Sequence, residues 1–190
     1  MTATAPAPEL PRWDLTPFFA GLDDREFRAG TEAVAAEVGR LRSRFDELGV
    51  RAGEPIAVDD AAVAAAEEVI EAFNRLFADM RRLGGFLYAR TSTDATDAEA
   101  AGALSRYQAS VAPVATLDGR FDAWLARLDL DELVSRSPLA ADHEHPLRTG
   151  ARAAAHQMTE AEEDLAAELG LTGGRAWAKL HGELTARLTA

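Results

Sequence analysis

Apolar residues in this chain return at alternating steps of three and four over three long stretches, and that spacing leaves few folds open. The first series is Val34, Val38, Leu41, Phe45 and Leu48, preceded by Phe27. The second runs Val63, Ala66, Ile70, Phe73, Phe77, Met80, Gly84, Leu87, and the third Leu104, Tyr107, Val111, Val114, Asp118, Phe121, Leu125, Leu128. A repeat close to the helical period puts each series on one face of an α-helix, and that face must be buried against another element. No segment alternates with period two, and β-branched runs are missing, so strands have no support. The fold class is therefore all-α: an antiparallel helical bundle of three long helices followed by shorter C-terminal helices. Turn signals between the series favour an intramolecular bundle over a fibrous coiled coil.

Local signals set the expected boundaries. Asp23 with Glu26 reads as a capping box for the first helix, and Gly49 as its stop. Asp59 or Asp60 opens the second, which ends between Thr91 and Asp94; Gly84-Gly85 inside it suggests a close backbone crossing. Thr96 with Glu99 opens the third, and Pro113 should kink it. Asp118 falls where an apolar residue is expected, with Leu117 beside it able to fill that face. Asp129 to Arg136 reads as one or two helical turns, and Asp142 to Met158 is compatible with helix. Thr159 and Glu162 form a capping box for a helix that Gly170 should stop. Leu171-Thr172-Gly173-Gly174 then turns into a last helix carrying Trp177, Leu180, Leu184 and Leu188, with Trp177 expected to anchor it on the body. The domain division is an extended arm at 1–22, whose Trp13-Asp14-Leu15 and Phe18 or Phe19 should dock on the body, and a helical domain at 23–190.

Composition removes several functions. The 190 residues include 20 Lys plus Arg against 32 Asp plus Glu, a formal net charge of −12, which argues against a nucleic-acid or basic membrane-surface binder. Cysteine is absent, which excludes disulfides, thiolate nucleophiles and Cys-ligated zinc. The N-terminal residues lack the features of a secretory signal, and no apolar run reaches spanning length, so the expected compartment is cytoplasmic. Lys179 is the only lysine; the other basic residues are Arg.

The candidate chemistry is thin. His143, His145 and His156 are the residues to weigh as metal ligands, but His143-Glu144 has Leu147 where H-E-x-x-H needs histidine, and Pro146 intervenes. A solvated polar loop is the favoured reading, with an independent metal-binding bundle as the competitor. His181-Gly182-Glu183 lacks the cysteines of a zinc deaminase, and Gly173-Gly174 lacks the Lys and Ser or Thr of a P-loop. Asp59-Asp60, Glu67-Glu68 and Glu162-Glu163-Asp164 are explained by helix N-termini and polar faces. Asp118 either pairs with a buried Arg or rotates outward. No catalytic, cofactor-binding or metal residue is assigned.

Four strings, taken in order, resemble the N-terminal region of oligoendopeptidase F, a zinc metallopeptidase of the thimet-oligopeptidase type. They are Trp13-Asp14-Leu15, the stretch from Leu87 to Asp97, Met158-Thr159-Glu160-Ala161-Glu162-Glu163, and Leu171-Thr172-Gly173-Gly174-Arg175-Ala176-Trp177. The third is similar to the family's L-S-x-x-E-E segment and the fourth to its T-G-x-x-A-W stretch. Together they extend over residues 12–190. The resemblance implies a catalytic zinc domain with H-E-x-x-H that is absent from this chain, so zinc is a cofactor of the full-length family and not of these residues.

It further implies a non-catalytic lid or channel wall for an enzyme that hydrolyses short peptides. The partners would be the catalytic region of the parent enzyme and, in that context, short peptides. The alternative is a stand-alone acidic helical interaction or regulatory module derived from that fold. Self-association through exposed apolar surface is compatible with both.

Overall fold

The computed structural model describes residues 14–94 and 96–188, except for the side chains of residues 160, 164, 186 and 187. The fold is all-α, with no strand among the described residues. The elements are α1 (Arg25–Leu48), α2 (Asp60–Thr93), α3 (Ala98–Val111), α4 (Pro113–Leu125), α5 (Leu130–Arg136), α6 (Pro138–Asp142), α7 (Glu144–Ala153), a 3₁₀ turn (Ala154–His156), α8 (Glu160–Thr172) and α9 (Gly174–Leu188).

Carboxylates start four of these helices. Asp24 accepts from the Glu26 and Phe27 amides, Asp59 from Ala62, Asp97 from Ala100, and Asp129 from Asp131 and Glu132. Each satisfies amides that have no partner within the helix and carries negative charge at the positive end of its dipole. The caps of α1 and α3 are thus Asp24 and Asp97, one residue beyond the expected Asp23 and Thr96. Thr96 instead gives its amide and hydroxyl to Asp94 in a turn before the helix. Gly49 ends α1 in the left-handed region at φ 67°, as expected of a glycine stop.

The expected third long helix is two. Ala112 joins α3 to α4 with helical dihedrals (φ −53°, ψ −37°), and Pro113 occupies the first position of α4, where its missing N–H costs nothing. Leu117 takes the core position beside it and Asp118 is exposed, so the outward rotation holds and no Arg pairs with Asp118 among the described residues. At Gly84 the expected backbone crossing is a ring: an added Cβ would lie 3.3 Å from Tyr107 Cε1, and the Tyr107 hydroxyl donates to the Met80 carbonyl at 2.9 Å.

The core lies between α1, α2, α3 and α4 and takes Leu133, Ala140 and Leu147 from the shorter helices. Aromatic rings gather at two levels, Phe19 with Phe27 and Phe86, and Phe45 with Phe73, Phe121 and Trp124. In the N-terminal segment Phe19 is buried and Leu15 packs against the core, as expected, while Phe18 is exposed; Trp13 lies outside the described residues.

Three arginines hold the connection between α1 and α2. Arg120 donates to the Val50 carbonyl, Arg127 to those of Arg51 and Glu54, and Arg136 to that of Val58 while pairing with Asp60. A planar fork reaches two carbonyls at once, which an ammonium cannot do in the same geometry.

Candidate interaction surface

The histidines do not form a centre. His143 sits between α6 and α7, where Nδ1 lies 2.9 Å from the Leu139 carbonyl and Nε2 lies 3.0 Å from Asn74 Nδ2 of α2. A proton on Nδ1 satisfies both contacts: His143 donates to Leu139 and accepts from the Asn74 amide. His145 and His156 are exposed. The segment is helical where a polar loop was favoured, because Pro146 falls in the first turn of α7, where a missing N–H is tolerated. Among the described residues no three His, Cys, Asp or Glu side chains are grouped to hold a metal. These described residues offer no fitting ligand set for the zinc of the family this chain resembles.

Asp122, half-buried on α4, was not singled out by the sequence. Its carboxylate lies against Gly150 of α7, where an added Cβ would come within 1.9 Å of Oδ1. Loss of hydration there, and the neighbouring charge of Asp118, push its pKa up to about 6. A cleft of about 520 Å³ between α1 and α2 is an ion-pair groove. Arg44 binds Glu68 and Glu47, Arg40 binds Glu37, and Arg75 binds Glu71. These pairs lie at the surface, where each is worth little.

The feature that stands apart is the terminal hairpin. The Thr159–Glu162 capping box forms as expected and starts α8. The helix does not stop at Gly170 but runs to Thr172, and Gly173 turns the chain: its amide donates to Leu169 O at 2.7 Å, and a Cβ there would sit 2.8 Å from that oxygen. Glycine is thus required at the turn by close approach. Ala167 and Leu171 of α8 line a cleft against Ala112, Thr116 and Leu117.

Trp177 does not anchor α9 on the body; it is 71% exposed. Leu180, Leu184 and Leu188 are exposed with it, as are Leu165 and Leu169 on α8. Lys179, on the opposite side of the helix from Leu184, bonds Ser105 of α3 at 3.0 Å, and Arg175 enters the cleft lined by Thr116 and Glu163. Every described residue of α9 except Glu183 is exposed, so its apolar stripe is left without the cover an ordinary surface helix has. Together these six side chains expose apolar surface equal to between three and four complete large residues. Covering it is worth roughly 5–10 kcal/mol before association costs. Monomeric proteins seldom leave contiguous apolar surface of this kind uncovered.

The family model described as Oligopeptidase F, for the N-terminal domain of peptidase family M3, matches residues 125–189. This is about a third of the chain and contains the whole hairpin, including the third and fourth of the resembling strings; the first two lie outside it. Over these residues the match agrees with the resemblance read in the sequence. No curated protein and no solved structure gives a significant match. No described helix is long and apolar enough to cross a membrane.

Proposed function

We propose that this chain is the non-catalytic N-terminal helical region of a cytoplasmic, oligoendopeptidase-F-like zinc metallopeptidase. It forms part of the wall of a channel that admits short peptides, and the outward face of α8–α9 is where it meets the catalytic region. One observation carries this reading: within the family-matched segment, the apolar stripe of α9 is left uncovered. A helical wall limits access by size, because an unfolded peptide enters a narrow channel and a folded protein does not. The zinc and its H-E-x-x-H ligands belong to the partner region.

The test has two parts. The pure chain should hold no stoichiometric zinc and cleave no peptide; one tightly bound zinc with peptidase activity overturns the proposal. A separately prepared oligoendopeptidase F catalytic region should bind the chain, and Leu180→Ser with Leu184→Ser should abolish binding while the helical circular dichroism persists.

A second reading is a stand-alone acidic interaction module derived from this fold, in keeping with the net charge of −12. The reading frame beyond codon 190 separates the two: H-E-x-x-H downstream supports the first, and a stop supports the second.

A further inference from the structure

We propose that the α8–α9 hairpin is a hinged flap: it turns off α4 as one unit at the Gln157–Met158 joint while the rest of the fold stays packed. This goes beyond the docking reading and holds whatever covers the outer face.

The hairpin adds nothing to the core. The last buried apolar residue in the chain is Leu147, and no described side chain of α8 or α9 is buried. Where α8 lies on α4, the residues lining the contact are Ala115, Thr116 and Gly119 from α4 and Glu163, Ala167 and Leu171 from α8. Side chains this small remove little apolar area from water, and clefts of about 260, 120 and 140 Å³ lie along the contact. A segment held by so little buried apolar surface opens before the body unfolds. α9 reaches the body through the exposed bond from Lys179 to Ser105, where water competes for both partners.

Hydrogen bonding places the joint. Gln157 and Thr159 are extended, at ψ 149° and 156°. Gln157 belongs to the body: its amide donates back to the Ala154 carbonyl at 3.3 Å, and its side chain lies over Gly119, where a Cβ would sit 3.5 Å from Nε2. Met158 and Thr159 belong to the hairpin, their amides donating forward to Glu163 at 3.2 Å and Glu162 at 2.9 Å. Each of these bonds closes on its own side, so rotation of the backbone between Gln157 and Met158 breaks none of them. Beyond the joint, the capping box and the Gly173 turn hold α8 and α9 together as one piece. In the channel reading, such a flap widens the wall for an entering peptide.

The chain has no cysteine, so introduced pairs carry the only spin labels. Double electron–electron resonance is measured on three pairs of exposed alanines: Ala33→Cys with Ala64→Cys in the body, Ala161→Cys with Ala176→Cys in the hairpin, and Ala64→Cys with Ala176→Cys between them. The first two should give single narrow distances and the third a broad or two-peaked one. Lys179→Met should raise the open share about threefold. Two glycines inserted between Gln157 and Met158 should broaden the third distance further and leave the thermal midpoint within ~2 °C.

A body-to-hairpin distance as narrow as the one within the body overturns the proposal. A broad distance within the hairpin also does so, since that is unfolding rather than turning, as does a larger fall in midpoint on glycine insertion, which shows that the hairpin and body unfold together. An open share unmoved by Lys179→Met removes the latch and overturns it too. None of these failures touches the docking reading, which is decided by binding of the catalytic region.

Discussion

Replacing Asp122 with Asn should stabilise this protein at neutral pH and leave it unchanged in acid. The carboxylate is half-buried against Gly150 at the contact of α4 with α7, and no hydrogen-bond or ion-pair partner for it is found among the described residues. Arg148 and Arg152 of α7 are engaged elsewhere, with Asp131 and Glu144 and with the Arg148 carbonyl. The pKa near 6 in the fold stands above the unfolded value, so the unfolded chain ionises first as pH rises. Folding stability attributable to Asp122 is therefore complete below about pH 4, falls between about pH 4 and 6, and stays low above that.

The full shift corresponds to roughly 3 kcal/mol, and partial solvent screening reduces it to about 1–2 kcal/mol. Asparagine keeps the shape and a similar helix propensity, so the difference between variant and wild type isolates the charge. Thermal unfolding at matched ionic strength should show the variant melting ~3–6 °C higher at pH 8 and within ~1 °C at pH 4. A variant that is neutral or less stable at pH 8, or equally stabilised at both pH values, refutes the reasoning. Gly150→Ala adds a geometric check, because its Cβ would strike Oδ1. It should cost about 1–3 kcal/mol in the wild type and clearly less when Asp122→Ala has removed the obstacle.

The exposed stripe predicts an asymmetry. Trp177→Ser should change the urea midpoint by less than ~0.5 kcal/mol equivalent, whereas Leu125→Ala, at a fully buried position, should cost about 2–5 kcal/mol. Arg127→Lys should cost about 1–2 kcal/mol and speed amide exchange across residues 51–58, since a lysine cannot bond both carbonyls. Replacing His143, His145 and His156 together with Ala should leave metal content unchanged and cost ~1 kcal/mol, all of it from the lost His143 bridge to Asn74 and Leu139.

The all-α class and most helix boundaries were legible in the residues alone. Apolar period, Asp caps, Gly49 and the Thr159–Glu162 box act within a few residues of themselves, so their outcome barely depends on the rest of the chain. Where local rules competed, tertiary context decided. Thr96 lost the cap of α3 to Asp97, and Gly170 failed to stop α8 because Gly173 made the tighter turn. The inward Arg forks are invisible in sequence because each spans about 70 residues or more to its carbonyl. Asp122 is likewise an unremarkable acid until α7 brings Gly150 against it.

The candidate surface divides in the same way. The stripe of Trp177, Leu180, Leu184 and Leu188 follows from spacing alone, and so does the acidic character of α8. Periodicity says which side chains share a face but not which neighbour that face meets. Only the tertiary packing, in which α8 lies on α4 and α9 reaches the body through the Lys179 bond to Ser105, left the apolar side uncovered and made Trp177 exposed surface rather than an anchor.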